Sequence, residues 1–342
     1  MIITRTPYRI SFFGGGTDYE PWFRDNGGAV LATTINRHCY ISCRYLPPFF
    51  QHKSRIIWSE IETVNAVSEI KHPVVRDVLD YLQIAEGVEI HHDGDLPARS
   101  GLGSSSAFTV GILHALHTLK GEEVTKERLA QEAILVEQVR LRENVGVQDQ
   151  IMTSYGGLNR VDIRSNGEFL VTPLSLTMER ARELEDHLLL FYSGISRTAS
   201  DVAKMKIAAI PSKRNELKAM MSMVDEAIDI LVNGRDIADF GRLLHESWTL
   251  KRSLTPHIAP AFVGEIYDKA RQAGALGGKL LGAGGGGFML IFVRPTDRLK
   301  VLNALSSLLM VPVEFENLGS RVIFHQRDRY SRTALSRHDF VR

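Results

Sequence analysis

Polar and apolar positions divide the chain into a strand-rich first part and a helix-rich second part. Pro7 to Phe13 alternates like a strand. Ala29 to Ile35 and His38 to Tyr45 read as two more, joined by a hairpin at Asn36-Arg37, and Arg55 to Ser59 as another. Pro73 fits the first turn of a helix continuing through Val78, Leu79 and Leu82. The strand Val88 to His92 then runs through a glycine- and serine-rich joint, Asp95 to Ala107, into a helix marked by Phe108, Leu113, Ala115, Leu116 and Leu119. Thr125 caps a further helix to about Leu141, and Asn144 to Ile151 reads as a loop carrying Asp149. Leu158 to Ile163 and Glu168 to Leu174 pair around Asn166-Gly167, a hairpin turn signal. After the charged run Glu179 to Asp186 come a strand, His187 to Tyr192, and helical stretches at 200–209, 213–232, 236–252 and 259–273. Seven glycines from Gly277 to Gly287 lead into the strand Phe288 to Val293. A helix from Thr296 and strands at Val311 to Phe315 and Arg321 to His325 close the fold, and the polar stretch from Ser331 reads as a loose tail.

The joint between Asp95 and Ala107 has the chemistry of a phosphate cradle. Gly101 and Gly103 let the backbone come close to a ligand, and Ser104, Ser105 and Ser106 stand where a helix begins. Free N–H groups, the positive end of the helix dipole and three hydroxyls would face one small volume, which suits an anion. Glu137 raises a second question. Its helical neighbours are Ala130, Ala133 and Leu141, and a carboxylate among apolar groups is costly unless an arginine or a metal meets it.

Composition narrows the partners. The 342 residues are 44% hydrophobic and 24% charged, with 41 basic and 40 acidic side chains, so nothing points to nucleic acid or an acidic membrane. No apolar run approaches a membrane span, and the first residues lack a signal-peptide layout, so the expectation is a soluble cytoplasmic protein. Cys39 and Cys43, four apart in a strand-like run, read as buried thiols on one face.

Gly282 to Gly287 satisfies G-x-G-x-x-G, but a strand follows where a dinucleotide site needs a helix. The run reads instead as a hairpin turn whose backbone passes close to a phosphate or to the cradle helix. No Walker-type sequence occurs. Gly103 to Ala107 approaches a hydrolase nucleophile elbow with Ser105 as nucleophile, yet no histidine is singled out, and Asp18 and the glycine run stay unexplained.

Pro7 to Asp18, Pro97 to Ala107 and Leu281 to Phe288, in this order, resemble the three signature motifs of the GHMP kinases, the family of galactokinase, homoserine kinase, mevalonate kinase and phosphomevalonate kinase. Arg5 to Tyr19, with Gly27 to Ala32, is most similar to kinases of D-glycero-α-D-manno-heptose 7-phosphate, which serve capsule and lipopolysaccharide synthesis; fucokinase-type sugar kinases share part of this pattern. The resemblance implies an α+β two-domain fold: an N-terminal domain like ribosomal protein S5 over 1–183, a ferredoxin-like C-terminal domain over 184–330, and a tail at 331–342.

It also implies roles. Pro97, Ser100, Gly101, Leu102, Gly103, Ser104, Ser105, Ser106, Gly284 and Gly285 would surround ATP, with Ser105 and Glu137 on Mg²⁺. Asp149 matches the acid placed against the attacking hydroxyl, and Arg9 the basic residue beside it. Gly15, Gly16, Thr17 and Asp18 match the sugar-gripping loop. Gly-Gly-Gly-Thr-Asp stands where galactokinases have Gly-Glu-His-Thr-Asp, which argues against galactose as substrate. A substrate that already bears a phosphate needs a cation; Arg197 is the first choice, with Arg37, Lys204 and Arg24 behind it. The expected partners are ATP and a small sugar or sugar phosphate, with neither nucleic acid nor membrane. Oligomeric state stays open, a homodimer included. An L-fucokinase-type enzyme and a catalytically silent sugar-binding regulator are the alternatives.

Overall fold

The computed structural model describes residues 1–47, 49–194 and 199–326. Its first sheet is built around one strand of 18 residues, Gly28–Tyr45. The opening strand, Ile2–Phe13, covers one edge of it. The other edge is shared in turn by Leu158–Ile163, Phe315–Glu316 and Val88–Gly94. Beyond Val88–Gly94 lie Ser54–Ile57, which pairs with it in parallel, and Ile61–Val64. Phe169–Pro173 completes the hairpin expected at Asn166-Gly167.

The hairpin expected at Asn36-Arg37 does not form. Both runs pair with the same opening strand, and the register skips there: Pro7 faces His38 while Tyr8 faces Ile35. Asn36 and Arg37 therefore bulge out of a continuous strand. Their polar groups find partners on a later segment, Asn36 N donating to Glu314 O at 2.9 Å and Arg37 Nη2 to Pro312 O at 2.6 Å.

The helix Ser104–Lys120 packs against the first two strands of this sheet and is capped at its far end by Gly121. Beside it runs Lys126–Ile134, with Thr125 accepting from Arg128 N as an N-cap. That helix continues as a widened turn, Leu135–Arg140, which holds Glu137. Asp149 lies in the first turn of a helix, Gln148–Tyr155, and not in a loop as its sequence context indicated. Polar residues in a helix's first turn imitate a loop in sequence.

A second, four-stranded sheet runs Leu309–Val311, Leu188–Tyr192, Phe288–Val293 and Ala275–Leu280. The helices Ile237–Leu254 and Ala261–Gln272 pack on it. The glycines of 277–278 hide this last strand from a pattern search. Residues 184–330 do not all belong with this sheet: Phe315–Glu316 and Arg321–His325 return to the first, the latter beside Ile2–Arg5. The tail 331–342 lies outside the described residues. The two halves pack together in two apolar clusters, in one of which Phe240 meets Phe12 and Phe13 edge-on at 5.4 and 5.1 Å between ring centres. Cys39 and Cys43 are buried cysteines. No helix among the described residues is long and apolar enough to cross a membrane.

Candidate active site

The cradle is a loop clamped from two sides. Gly103, with φ 74°, turns the chain into the helix Ser104–Lys120. Arg9 holds the loop from below: its backbone N donates to Leu102 O at 3.0 Å and its Nη1 to Gly101 O at 2.7 Å. From above comes the glycine run of 282–287. A Cβ on Gly282 would stand 2.6 Å from Gly101 Cα, so the two backbones touch as only glycines can. Phe288 N donates to Ser100 O at 3.1 Å, joining the second sheet to the cradle. Of the two expectations for the glycine run, this contact meets the close approach to the cradle. Gly285 spends its N–H on Ile258 O at 3.0 Å, and Gly284 packs against Ile258.

Around the mouth, Pro97 and Ser105 are exposed, Ser104 is half-buried, and Ser104 Oγ accepts from Arg99 N at 3.1 Å. Ser100 and Leu102 are fully buried. One turn along the helix, Phe108 stacks on His72 at 4.7 Å, and Trp58 meets His72 edge-on at 4.9 Å. Burial lowers His72 to about 4, so this aromatic wall is uncharged at neutral pH.

Glu137 is completely buried. Its Oε2 accepts from Ser106 Oγ at 2.9 Å and Gln150 Nε2 at 2.5 Å, while Oε1 has no partner among the described residues. Burial pushes its carboxyl up to about 7, against the hydrogen bonds of Thr109, Ser106 and Gln150. Among the described residues no arginine meets it. It is Ser106, not Ser105, that turns inward to Glu137, because Ser105 points outward from the first turn. The described residues contain no cluster of three or more His, Cys, Asp or Glu fit for a metal. A lone orphaned carboxylate oxygen near a phosphate cradle fits an ion that takes most of its ligands from phosphate and water, as Mg²⁺ does.

Asp149 and Arg9 form a two-pronged ion pair, Nε to Oδ1 at 2.7 Å and Nη2 to Oδ2 at 2.6 Å. Arg9 is buried, whereas the Asp149 side chain keeps 28% exposure, so the acid is the accessible partner. A Cβ on Gly103 would lie 3.4 Å from Asp149 Oδ2. The acid is thus one small group away from the phosphate cradle.

The 14–18 loop closes the other side. Gly16 N donates to Asp18 Oδ1 at 2.8 Å, and Val147 N to Asp18 O at 3.1 Å. Gly15 is the half-exposed residue of the turn. Thr17 has no exposed surface: its hydroxyl faces Gly14 O and Ala29 O at 2.8 and 2.9 Å and accepts from Ala29 N at 3.2 Å. Thr17 shapes the loop and has no hydroxyl to offer a sugar.

Three lysines escaped the sequence reading. Lys206, Lys251 and Lys279 are all buried, and their charges act on one another and on Arg9 and Asp18. Lys251 Nζ donates to Leu280 O and Gly282 O at 2.8 and 2.7 Å, and Lys279 Nζ to Phe12 O at 2.7 Å. Burial lowers all three, Lys279 to about 7. The signal was present: Lys206 stands in line with Val202 and Ala203 on the buried stripe of its helix, and Lys251 near Trp248 and Leu254 on theirs. Arg9 and three buried lysines thus act on Asp18 and Asp149, and a bound anion would favour the charged form of each lysine. Arg197 lies outside the described residues. Arg24 is paired with Glu20, and Arg37 is held by Pro312 O.

The profile of the GHMP kinases N terminal domain matches residues 67–157, and that of the GHMP kinases C terminal matches 217–309. The chain is 30% identical over 322 residues to D-glycero-alpha-D-manno-heptose 7-phosphate kinase of Campylobacter jejuni, spanning 89% of this chain and 93% of that protein. It is 27% identical over 337 residues to the L-fucokinase/L-fucose-1-P guanylyltransferase of Bacteroides fragilis, spanning 85% of this chain and 34% of that longer protein. Among solved structures, a D-glycero-D-manno-heptose 1-phosphate kinase from Bacteroides thetaiotaomicron superposes with a TM-score of 0.79 at 23% identity, over 95% of this chain and 100% of that one, and so shares its fold. With both halves matched and a relative aligned nearly end to end, the two-domain α+β chain belongs to the GHMP kinases.

Proposed function

We propose that the protein is an ATP-dependent sugar kinase that phosphorylates the anomeric C1 hydroxyl of D-glycero-α-D-manno-heptose 7-phosphate, giving the 1,7-bisphosphate used to make activated heptose for capsule or lipopolysaccharide. The carrying observation is the contact between Asp149 and Gly103, which sets an accessible acid against the phosphate cradle. Support for the heptose, and for an acceptor that already bears a phosphate, comes from the relative in Campylobacter jejuni.

In this reading the triphosphate lies along Gly101 to Ser106 at the helix N-terminus, and the base rests by the neutral wall of Trp58, His72 and Phe108. Glu137, through Oε1, would hold Mg²⁺, which would supply charge neutralisation at the phosphates, while Ser105, exposed at the mouth, would meet the phosphates from the outer side. Asp149 orients the acceptor hydroxyl and receives its proton. Arg9 keeps that carboxylate fixed at both oxygens and ties it to the cradle, so acid and phosphate move as one unit. Asp18 accepts from sugar hydroxyls.

Coupled ADP-release assays with the heptose 7-phosphate, the unphosphorylated heptose, L-fucose, galactose and mevalonate test the assignment. The 7-phosphate should give the highest kcat/KM, with the unphosphorylated sugar at least about 10²-fold lower, since a charge-assisted phosphate contact is lost. Preference for L-fucose would move the enzyme to the fucokinase type, and no turnover with any acceptor would leave a sugar-binding regulator.

A further inference from the structure

Lys206 is a buried ammonium with little to hold it. Its residue keeps 4% exposure, yet among the described residues no carboxylate pairs with it. Its Nζ stands over the face of Tyr19, 4.7 Å from the ring centre. A cation–π contact offsets only part of what burying an ammonium costs. The two acidic charges that act on it, Asp18 and Asp149, are already engaged, Asp149 by Arg9 and Asp18 by Gly16 N. Lys206 also hangs over the acceptor loop, since a Cβ on Gly16 would come within 3.3 Å of its Nζ. A glycine at 16 leaves that ammonium room to face the space between Asp18 and Asp149. A purely structural residue at this place in an apolar stripe would be a leucine or methionine.

We propose that Lys206 is a catalytic residue of phosphoryl transfer, its ammonium meeting the oxygens of the phosphoryl group at the acceptor end of the site. Resting on the reading of Asp149 as the acceptor-side acid, the step is as follows. The acceptor oxygen bonds to the γ-phosphorus, and the bond from that phosphorus to the β–γ bridging oxygen breaks. The hydroxyl proton passes to Asp149, and ADP leaves with the bridging electron pair. Lys206 stays protonated throughout and balances negative charge on the phosphoryl oxygens while they are shared between donor and acceptor. Arg9 cannot do this, because its guanidinium is spent on Asp149 and Gly101 O. Lys251 and Lys279 are likewise occupied by backbone carbonyls. Lys206 is carried by a helix of the second half, Ala199–Ala209, so each half of the molecule would contribute to the reacting centre.

Lys206→Met, Lys206→Arg and Asp149→Ala, compared with wild type, test the assignment. Lys206→Met should lower kcat by about 10²–10³-fold, as loss of one charge-stabilising donor does, with nucleotide Kd within about threefold of wild type. Its melting temperature should be equal or higher, because a buried unpaired charge is removed. Lys206→Arg should recover part of kcat. An aluminium fluoride mimic of the moving phosphoryl group, with ADP and acceptor, should bind wild type tightly and Lys206→Met at least about tenfold less. Asp149→Ala should bind nucleotide normally and lose turnover by orders of magnitude. If Asp149→Ala is dead while Lys206→Met keeps kcat within threefold, the Lys206 role fails alone. If Asp149→Ala turns over normally, the acceptor-side reading fails first. A kcat loss in Lys206→Met that follows a lowered melting temperature, with no change in the aluminium fluoride complex, would make the lysine structural.

Discussion

Buried lysines add a dependence on pH to that of the buried Glu137 carboxyl. Burial first, then the charges of Lys206 and Arg9, bring Lys279 from 10.5 down to about 7, with Asp18 opposing. Its folded value lies below its unfolded one, so between these values the unfolded chain binds more protons. The destabilisation is complete below about pH 7 and is relieved as pH rises towards 10.5, by at most about 1.4 kcal/mol per pH unit. Thermal melts of the ligand-free protein from pH 7 to 9.5, beside Lys279→Met, should show wild type gaining on the variant as pH rises. Saturating nucleotide should flatten the difference, because an anion makes the charged form welcome. Curves that stay parallel would mean that Lys279 does not titrate there.

Among the elements, the clamp between the cradle and the glycine run has the narrowest tolerance. A Cβ on Gly101 would stand 2.6 Å from Leu281 O, and its φ is 83°. Gly121 ends the same helix at φ 81° with nothing within 4 Å of a Cβ, so it isolates the backbone penalty from the clash. Gly121→Ala should cost about 1 kcal/mol and leave nucleotide affinity unchanged. Gly101→Ala should cost about 1–3 kcal/mol more in denaturant melts and weaken nucleotide binding at least about tenfold. Equal effects of the two would show that the contact with Leu281 is not tight. Such contacts explain what was readable in the sequence. Gly101, Gly103 and the run at 282–287 betray themselves because close backbone approach admits only glycine. Arg9 and Asp149 were legible only through motif resemblance, since 140 residues separate partners that the fold joins at 2.6 Å. The bulge at Asn36-Arg37 looked like a hairpin because a polar pair between two β-rich runs is the same local signal in both. Lys206 and Lys251 were missed because a charge on a helix is ordinarily taken for its solvent face.

At the scale of the whole molecule, the site is an assembly of both halves, and its geometry depends on what holds them together. Arg9, Asp18 and Asp149 come from the first half; Lys206, Lys251 and Lys279 come from the second. The joint that sets their spacing is aromatic. Phe12 and Phe13, at the end of the strand that carries Arg9, meet Phe240 edge-on, and Phe240 lies 5.8 Å from Phe292 in the second sheet. Phe240 is fully buried. Phe240→Ala should cost about 3–5 kcal/mol in a denaturant melt, the usual price of a large core cavity. Phe240→Leu keeps most of the volume and should cost about 1–1.5 kcal/mol. If the joint also sets the distance between the lysines and Asp149, kcat should fall in Phe240→Ala at temperatures where the protein is still fully folded, while nucleotide affinity changes less. That split is expected because Gly101, Gly103 and Ser104 belong to the first half alone, whereas transfer needs cations from the second. A Phe240→Ala protein with normal kcat below its melt would mean that Phe288 N on Ser100 O and Lys279 on Phe12 O suffice to hold the halves in register.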